Sequence, residues 1–202
     1  AAAAISMTSA TLSEPEFEVR STYLPPLTTV PLQNFAGSTS GGDILEGLRV
    51  SCNTTFAELA AEFVGAEPMI ETAERFGFNS SPPLDLPFPA SSVFPDNFGE
   101  KISETENDPP VSILENTPAL AQSGIGQFNV KATPLQMALV VSTIANDGIL
   151  MKPHLMHSFQ NQNGDVIDTY DPVIWRTVLS RQDALSLQFA METVASSGTA
   201  MN

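Results

Sequence analysis

The sequence predicts a mostly helical unit carrying short strands, with no packed sheet of its own. Three observations lead there. Apolar residues recur at helical spacing in several segments that open on capping residues and close on glycine. The extended runs between them are short and broken by proline or glycine. No apolar stretch approaches the length a membrane span needs.

Taken in order, Ala1 to about Ala10 reads as the end of a helix. Glu14 to Asn34 holds Phe17, Val19, Tyr23, Leu24 and four prolines, and reads as strands and turns. Ser40-Gly-Gly-Asp43 starts a helix with Ile44, Leu45 and Leu48 on one face, ending at Val50. After Ser51-Cys52-Asn53, Thr55 and Glu58 have capping-box spacing for a second helix. Its stripe is Phe56, Leu59, Ala60, Phe63 and Val64, with Gly65 as the left-handed cap. Pro68 to Phe76 is a further helix closed by Gly77, and Ser80 to about Pro118 reads as a long surface loop. Thr133-Pro134-Leu135-Gln136 opens the strongest helix, with Thr133 as cap and Gln136 closing the box. Leu135, Met137 to Val141, Ile144 and Ala145 ring it, which predicts a central, buried element ended by Asn146-Asp147-Gly148. His154 to Tyr170 reads as a hairpin turning at Asn163-Gly164. Ser180 and Asp183 start a last helix, with Ala184, Leu187, Met191 and Val194 in register.

At 202 residues and 42% apolar composition the chain suits one ordinary domain or a large piece of one. Acidic residues outnumber basic ones 23 to 8, for a formal charge of −15. Such a surface repels phosphate backbones, which argues against nucleic acid as a partner and suits a salty exterior. A lone Cys52 excludes an internal disulfide. The opening Ala1-Ala2-Ala3-Ala4-Ile5 has no cap before it, as in a helix cut partway. A signal-peptide tail is the alternative, but no basic segment or methionine precedes it. Residues 1–202 therefore read as one partial domain, cut at both ends.

Ser51-Cys52-Asn53 falls between two amphipathic helices, where a tight corner can aim Ser51 and Asn53 into a cleft. A hydroxyl can pass a proton there, and a carboxamide can grip an amide substrate. Spacing alone favours a plainer role for both, capping free backbone N–H groups.

Context reverses that preference. The stretches Gly42 to Phe56, Ala73 to Phe78, Ala121-Gln-Ser-Gly-Ile-Gly-Gln127, Ala132-Thr-Pro-Leu-Gln-Met-Ala138 and Ile144 to Pro153 occur in one order. They resemble the transpeptidase domain of penicillin-binding proteins: an S-x-N corner, a Gly-Gln turn, a T-P-L-Q helix and an A-N-x-G end. The likeness is weak over residues 14–36 and in the loop after Ser80. It implies an α/β fold of the β-lactamase and transpeptidase kind, here mostly the helical lobe with the central sheet largely missing. The family works with S-x-x-K, S-x-N and K-T-G. Lys101, Lys131 and Lys152 fit neither lysine motif, so only the second is present. The resemblance places the nucleophile just before residue 1. Ser196-Ser197-Gly198-Thr199-Ala200 resembles K-T-G without its lysine, and reads as the end of the last helix, the true motif following beyond Asn202.

The implied chemistry is acyl transfer by a serine D,D-transpeptidase of the monofunctional kind, acting on peptidoglycan stem peptides and blocked by β-lactam antibiotics. Ser51 would relay a proton and Asn53 would hold the substrate's amide side chain. Cys52, Gly126 and Gln127 would shape the cleft from beneath. No cofactor or metal is implied. The location would be the extracytoplasmic face of a bacterial plasma membrane, anchored outside this chain, among other cell-wall synthesis proteins. A β-lactam sensor or a non-catalytic scaffold of the same fold is the alternative. Other candidates are weaker. Cys52 reads as filler; His154 and His157, on opposite sides of a strand, make a poor metal pair; Glu100 to Asp108 reads as a solvated loop.

Overall fold

The computed structural model describes residues 1–7 and 10–201. The helices are α1 (Ala2–Met7), α2 (Ile44–Arg49), α3 (Asn53–Glu58), α4 (Ala66–Arg75), α5 (Thr117–Gly124), α6 (Pro134–Ala145) and α7 (Arg181–Ser197). Between them lie β1 (Phe17–Arg20), β2 (Thr22–Tyr23), β3 (Leu32–Gln33), β4 (Ser40–Gly42), β5 (Lys101–Glu104) and β6 (Ser112–Leu114). The remaining strands are β7 (Ile149–Met151), β8 (Ser158–Gln160), β9 (Val166–Thr169) and β10 (Ile174–Thr177). Among the described residues every sheet is a two-stranded antiparallel pair: β1 with β4, β2 with β3, β5 with β6, β7 with β10 and β8 with β9. This is the helical lobe with short strands that the sequence predicts. Also among the described residues, no helix is long and apolar enough to cross a membrane.

Four small apolar clusters hold it together. Ala3 and Ala4 of α1 pack with Phe17, Ile44, Leu59 and Val64. Phe76, Leu139, Ile144, Leu150, Val178 and Leu187 join α6, β7 and α7. Tyr23, Ala57, Ala61 and Ala121 seat β2 and α5 on the helix that starts at Asn53. Phe94 and Phe98 cover Ala119 and Leu120 of α5. Small residues let these helices approach closely: a Cβ on Gly124 would sit 2.5 Å from the Ala60 Cβ.

Several expectations need correction. The second helix starts earlier than a Thr55–Glu58 box requires: Cys52 is the residue before it and Asn53 its first. Thr55 is buried and donates to the Cys52 sulfur at 3.2 Å, while Glu58 pairs with Arg20. Both side chains had partners stronger than a frayed helix start. The helix then widens into a π turn over Leu59–Val64, where Gly65 N–H reaches back to Ala60 O at 3.0 Å. The 80–118 stretch is not a bare loop, because it contains the β5–β6 hairpin and buries Phe94, Phe98, Val111 and Ile113. Thr133 does cap α6, accepting from Gln136 N–H at 3.0 Å. Gln136, however, turns its amide to Phe76 O at 2.7 Å rather than closing the box. Nor is α6 buried all round: Met137 and Val141 are half exposed, while Leu139, Thr143 and Ile144 face inward. In α7 the buried positions are Ala184, Leu187 and Ala190, and Met191 falls outside that stripe. His154 and His157 precede β8 rather than lying in a strand; His154 stacks on Tyr170 with centroids 4.4 Å apart.

Candidate functional site

The corner between α2 and α3 is built by a close helix crossing. Asp43 caps α2 by accepting from Glu46 N–H at 2.7 Å. A Cβ on Gly47 would come within 2.8 Å of Thr55, so glycine there lets α2 lie directly against α3. The chain reverses through Val50 and Ser51, with Ser51 at φ +56° and Cys52 N–H bonded to Gly47 O at 2.8 Å. That left-handed conformation costs an ordinary L-residue about 1–2 kcal/mol and is met repeatedly at functional sites.

Ser51 is exposed, and its hydroxyl lies 2.7 Å from Thr199 Oγ1, either atom able to donate. It caps no helix. Asn53 is half buried and donates its amide to Gln33 O at 3.0 Å, which orients the carboxamide against β3. Between them Cys52 points inward and is fully buried. Burial pushes its thiol up, but hydrogen bonds from Ser40, Thr54 and Thr55 outweigh that and bring it below the ordinary value. The sulfur is thus a polar hub under the corner rather than a greasy filler. Asn34 completes the hub. It is buried, its amide donates to Arg20 O at 2.9 Å and to Ser40 and Thr54, and its oxygen accepts Thr54 N–H at 3.0 Å.

The far end of the chain reaches the same corner. After α7, Gly198 comes so close to Arg49 that a Cβ would lie 2.3 Å from its carbonyl oxygen. Thr199 N–H then bonds Arg49 O at 3.0 Å, and the Arg49 guanidinium holds Ser197 O at 2.7 Å while pairing with Glu46. The sequence sets this stretch between a K-T-G likeness and a helix end, and favours the helix end. It is a helix end, with Gly198 at the C-cap, yet it also delivers a hydroxyl to Ser51. The legible signal was the likeness of Ser197-Gly198-Thr199 to a substrate-strand motif. Asn34 carried no comparable signal.

Gly126 and Gln127 stand apart from this corner. They form the exposed turn after α5, with Gly126 at φ +73° and Gln127 N–H on Gln122 O at 2.9 Å. Their link to the corner runs through α5, which lies against Phe56 and Ala60 of the α3 segment. Among the described residues no group of three or more metal-ligating side chains gathers.

Fold and corner together define the helical lobe of a transpeptidase-like α/β domain. The family model described as the penicillin binding protein transpeptidase domain matches residues 3–202. The chain belongs to the penicillin-binding protein transpeptidase family. It is 34% identical over 181 residues to the peptidoglycan D,D-transpeptidase PbpA of Mycolicibacterium smegmatis, covering 87% of this chain and 33% of that protein. The crystal structure of PBPA from Mycobacterium tuberculosis superposes with a TM-score of 0.79 at 29% identity, over 96% of this chain and 41% of that one. A penicillin G acyl-enzyme complex of the same M. tuberculosis protein gives 0.79 at 30% identity, over 98% and 42%. The chain therefore spans about a third of the curated relative's length.

Proposed function

We propose that this chain is the helical lobe of a serine D,D-transpeptidase, with Ser51 and Asn53 as its contribution to the cleft. The observation that carries the reading is the corner itself. An exposed hydroxyl is held in an uphill backbone conformation beside a second hydroxyl and an oriented carboxamide. The M. smegmatis relative is named a peptidoglycan D,D-transpeptidase and the M. tuberculosis protein forms an acyl-enzyme with penicillin G, which supports the same substrate and inhibitor class here.

In this reading the attacking serine and its lysine base come from outside these 202 residues. The lysine takes the serine's proton as the serine oxygen adds to the carbonyl of a stem-peptide D-Ala-D-Ala bond, an ester forms, and the C–N bond breaks. The departing amine needs a proton, and Ser51 Oγ passes it one while regaining the proton that the lysine took from the nucleophile, its hydroxyl oriented by Thr199 Oγ1. A second stem's amine then displaces the ester. A β-lactam opens its ring at the same step, and the ester persists. Asn53, pinned to Gln33 O through its amide, presents its carbonyl oxygen to an amide N–H of the bound peptide. Cys52 and Asn34 keep that geometry from below, and Gly126 and Gln127 shape the turn that supports α3 from the α5 side. The site faces outward from a bacterial plasma membrane, with the anchor elsewhere in the whole protein.

Acylation by a fluorescent penicillin tests this. In the intact protein Ser51→Ala should slow labelling about 10²–10⁴-fold, the range for losing a positioned proton donor, while thermal unfolding stays unchanged. Unaltered labelling in that variant removes Ser51 from the mechanism. The 202-residue chain alone should take no label, and a covalent adduct on any of its side chains would contradict an external nucleophile.

A further inference from the structure

At the opposite end of the α3 segment the fold opens a groove of about 910 Å³ between α4 and the β5–β6 hairpin. Asn53 and Val64 stand 11 positions apart along the α3 segment and its π turn, on the order of 15 Å, so this groove is not the Ser51 corner. Its floor is apolar, formed by Phe63, Val64, Ile70, Phe98 and Val111. It is also acidic: Glu67, Glu71 and Glu74 on α4 line it together with Asp96, and no lysine, arginine or histidine does. None of these four carboxylates makes an ion pair among the described residues.

The spacing says more than the charge. Positions 67, 71 and 74 fall on one face of α4, about 6 and then about 4.5 Å apart along the axis. Like charges at i, i+4 and i, i+3 repel; on α4 the first-turn position of Glu67 and the last-turn Arg75, four residues after Glu71, offset part of that, and no cation of the groove's own lining offsets the rest. The groove's outer wall is fixed in place, because Asn107 donates to Glu62 O at 2.7 Å where the π turn has loosened the backbone.

We propose that this groove docks a basic, extended segment of a partner protein, one in which Lys or Arg alternates with apolar residues. In an extended chain alternate side chains repeat every 6.6–6.8 Å or so, close to the first step of the carboxylate stripe. Cations would then meet Glu67, Glu71 and Asp96 while the intervening apolar side chains cover Ile70 and Val111.

A fluorescein-labelled octapeptide of alternating arginine and valine serves as probe, read by anisotropy on the intact protein at physiological salt. The triple variant Glu67→Gln/Glu71→Gln/Glu74→Gln should lose at least 10-fold in affinity while its melting temperature holds or rises. A control triple, Asp165→Asn/Asp168→Asn/Asp171→Asn on the exposed β8–β9 hairpin, removes equal charge and should keep binding within twofold. Equal losses in both triples mean only the general attraction of an acidic chain, and overturn the proposal. So does failure of the wild-type protein to bind the probe, or equal binding of a glutamate-for-arginine peptide. Fluorescent penicillin labelling at wild-type rate confirms that each variant is folded, and does not depend on the groove.

Discussion

At the scale of single residues, the polar side chains beneath the corner matter as much as the two that open onto it. Tyr23 is the clearest case. Its ring is buried against Ala57, Ala61 and Ala121, and its hydroxyl donates to Glu62 at 2.5 Å. Burial first, then the Glu62 carboxylate, pushes the phenol well above its ordinary value of 10.0. A raised folded-state value favours the neutral form, so this stabilisation is complete below the unfolded value of about 10 and declines from there as pH climbs toward the higher folded-state value. Equilibrium unfolding should therefore show stability falling steeply above pH 10. Tyr23→Phe should be weaker at neutral pH by about 1 kcal/mol, having lost one hydrogen bond, yet should fall off less steeply in alkali. Parallel alkaline profiles for the two proteins would mean that Tyr23 ionises freely in the fold.

At the scale of elements, local chemistry was legible wherever a segment's own residues settle its conformation. Asp43 before α2, Thr133 with Pro134 before α6, Ser180 before α7, and Asn163-Gly164 in the β8–β9 turn all act where the sequence puts them. Misreadings arose where a distant partner outbid the local one. Glu58 pairs with Arg20, 38 positions away in sequence, and Gln136 prefers Phe76 O, 60 positions away. No spacing rule contains such partners. The ring of apolar residues on α6 misled for a related reason: periodicity reports what could be buried, not what these 202 residues have available to bury it. At the candidate site, family likeness proposes Ser51 and Asn53 as a pair, whereas Asn34 and Thr199 reach the corner only through tertiary contacts. The α7 terminus gives this a test. Gly198→Ala would drive a methyl into Arg49 O and must shift the backbone that carries Thr199. Penicillin acylation should slow at least severalfold, with a stability loss of about 1–3 kcal/mol. Thr199→Ala should slow acylation with little stability loss, since its side chain is exposed. Full-speed acylation in both variants would leave Ser51 acting without its neighbour.

At the scale of the whole molecule the governing fact is charge. Of 8 basic residues, Arg20, Arg49, Lys101 and Arg181 are each within ion-pair distance of a carboxylate. Against 23 acidic residues this leaves most carboxylates to repel one another across a small lobe. The two effects respond to salt in opposite directions. Screening weakens the ion pairs, but it also relieves the repulsion, and the repulsive pairs are far more numerous. Raising sodium chloride from about 10 mM to about 150 mM shortens the screening length from about 30 to about 8 Å, enough to separate carboxylates on different elements. The melting temperature should therefore rise, by about 2–4 °C for each kcal/mol of repulsion relieved. A fall over the same range would mean that pairs such as Arg20–Glu58, which ties β1 to α3 under the corner, outweigh the net charge of the surface. The Arg20→Gln variant separates the cases. If repulsion dominates, its melting temperature should climb with salt at least as steeply as that of the parent, because the variant carries one more uncompensated negative charge and has no such pair left to screen.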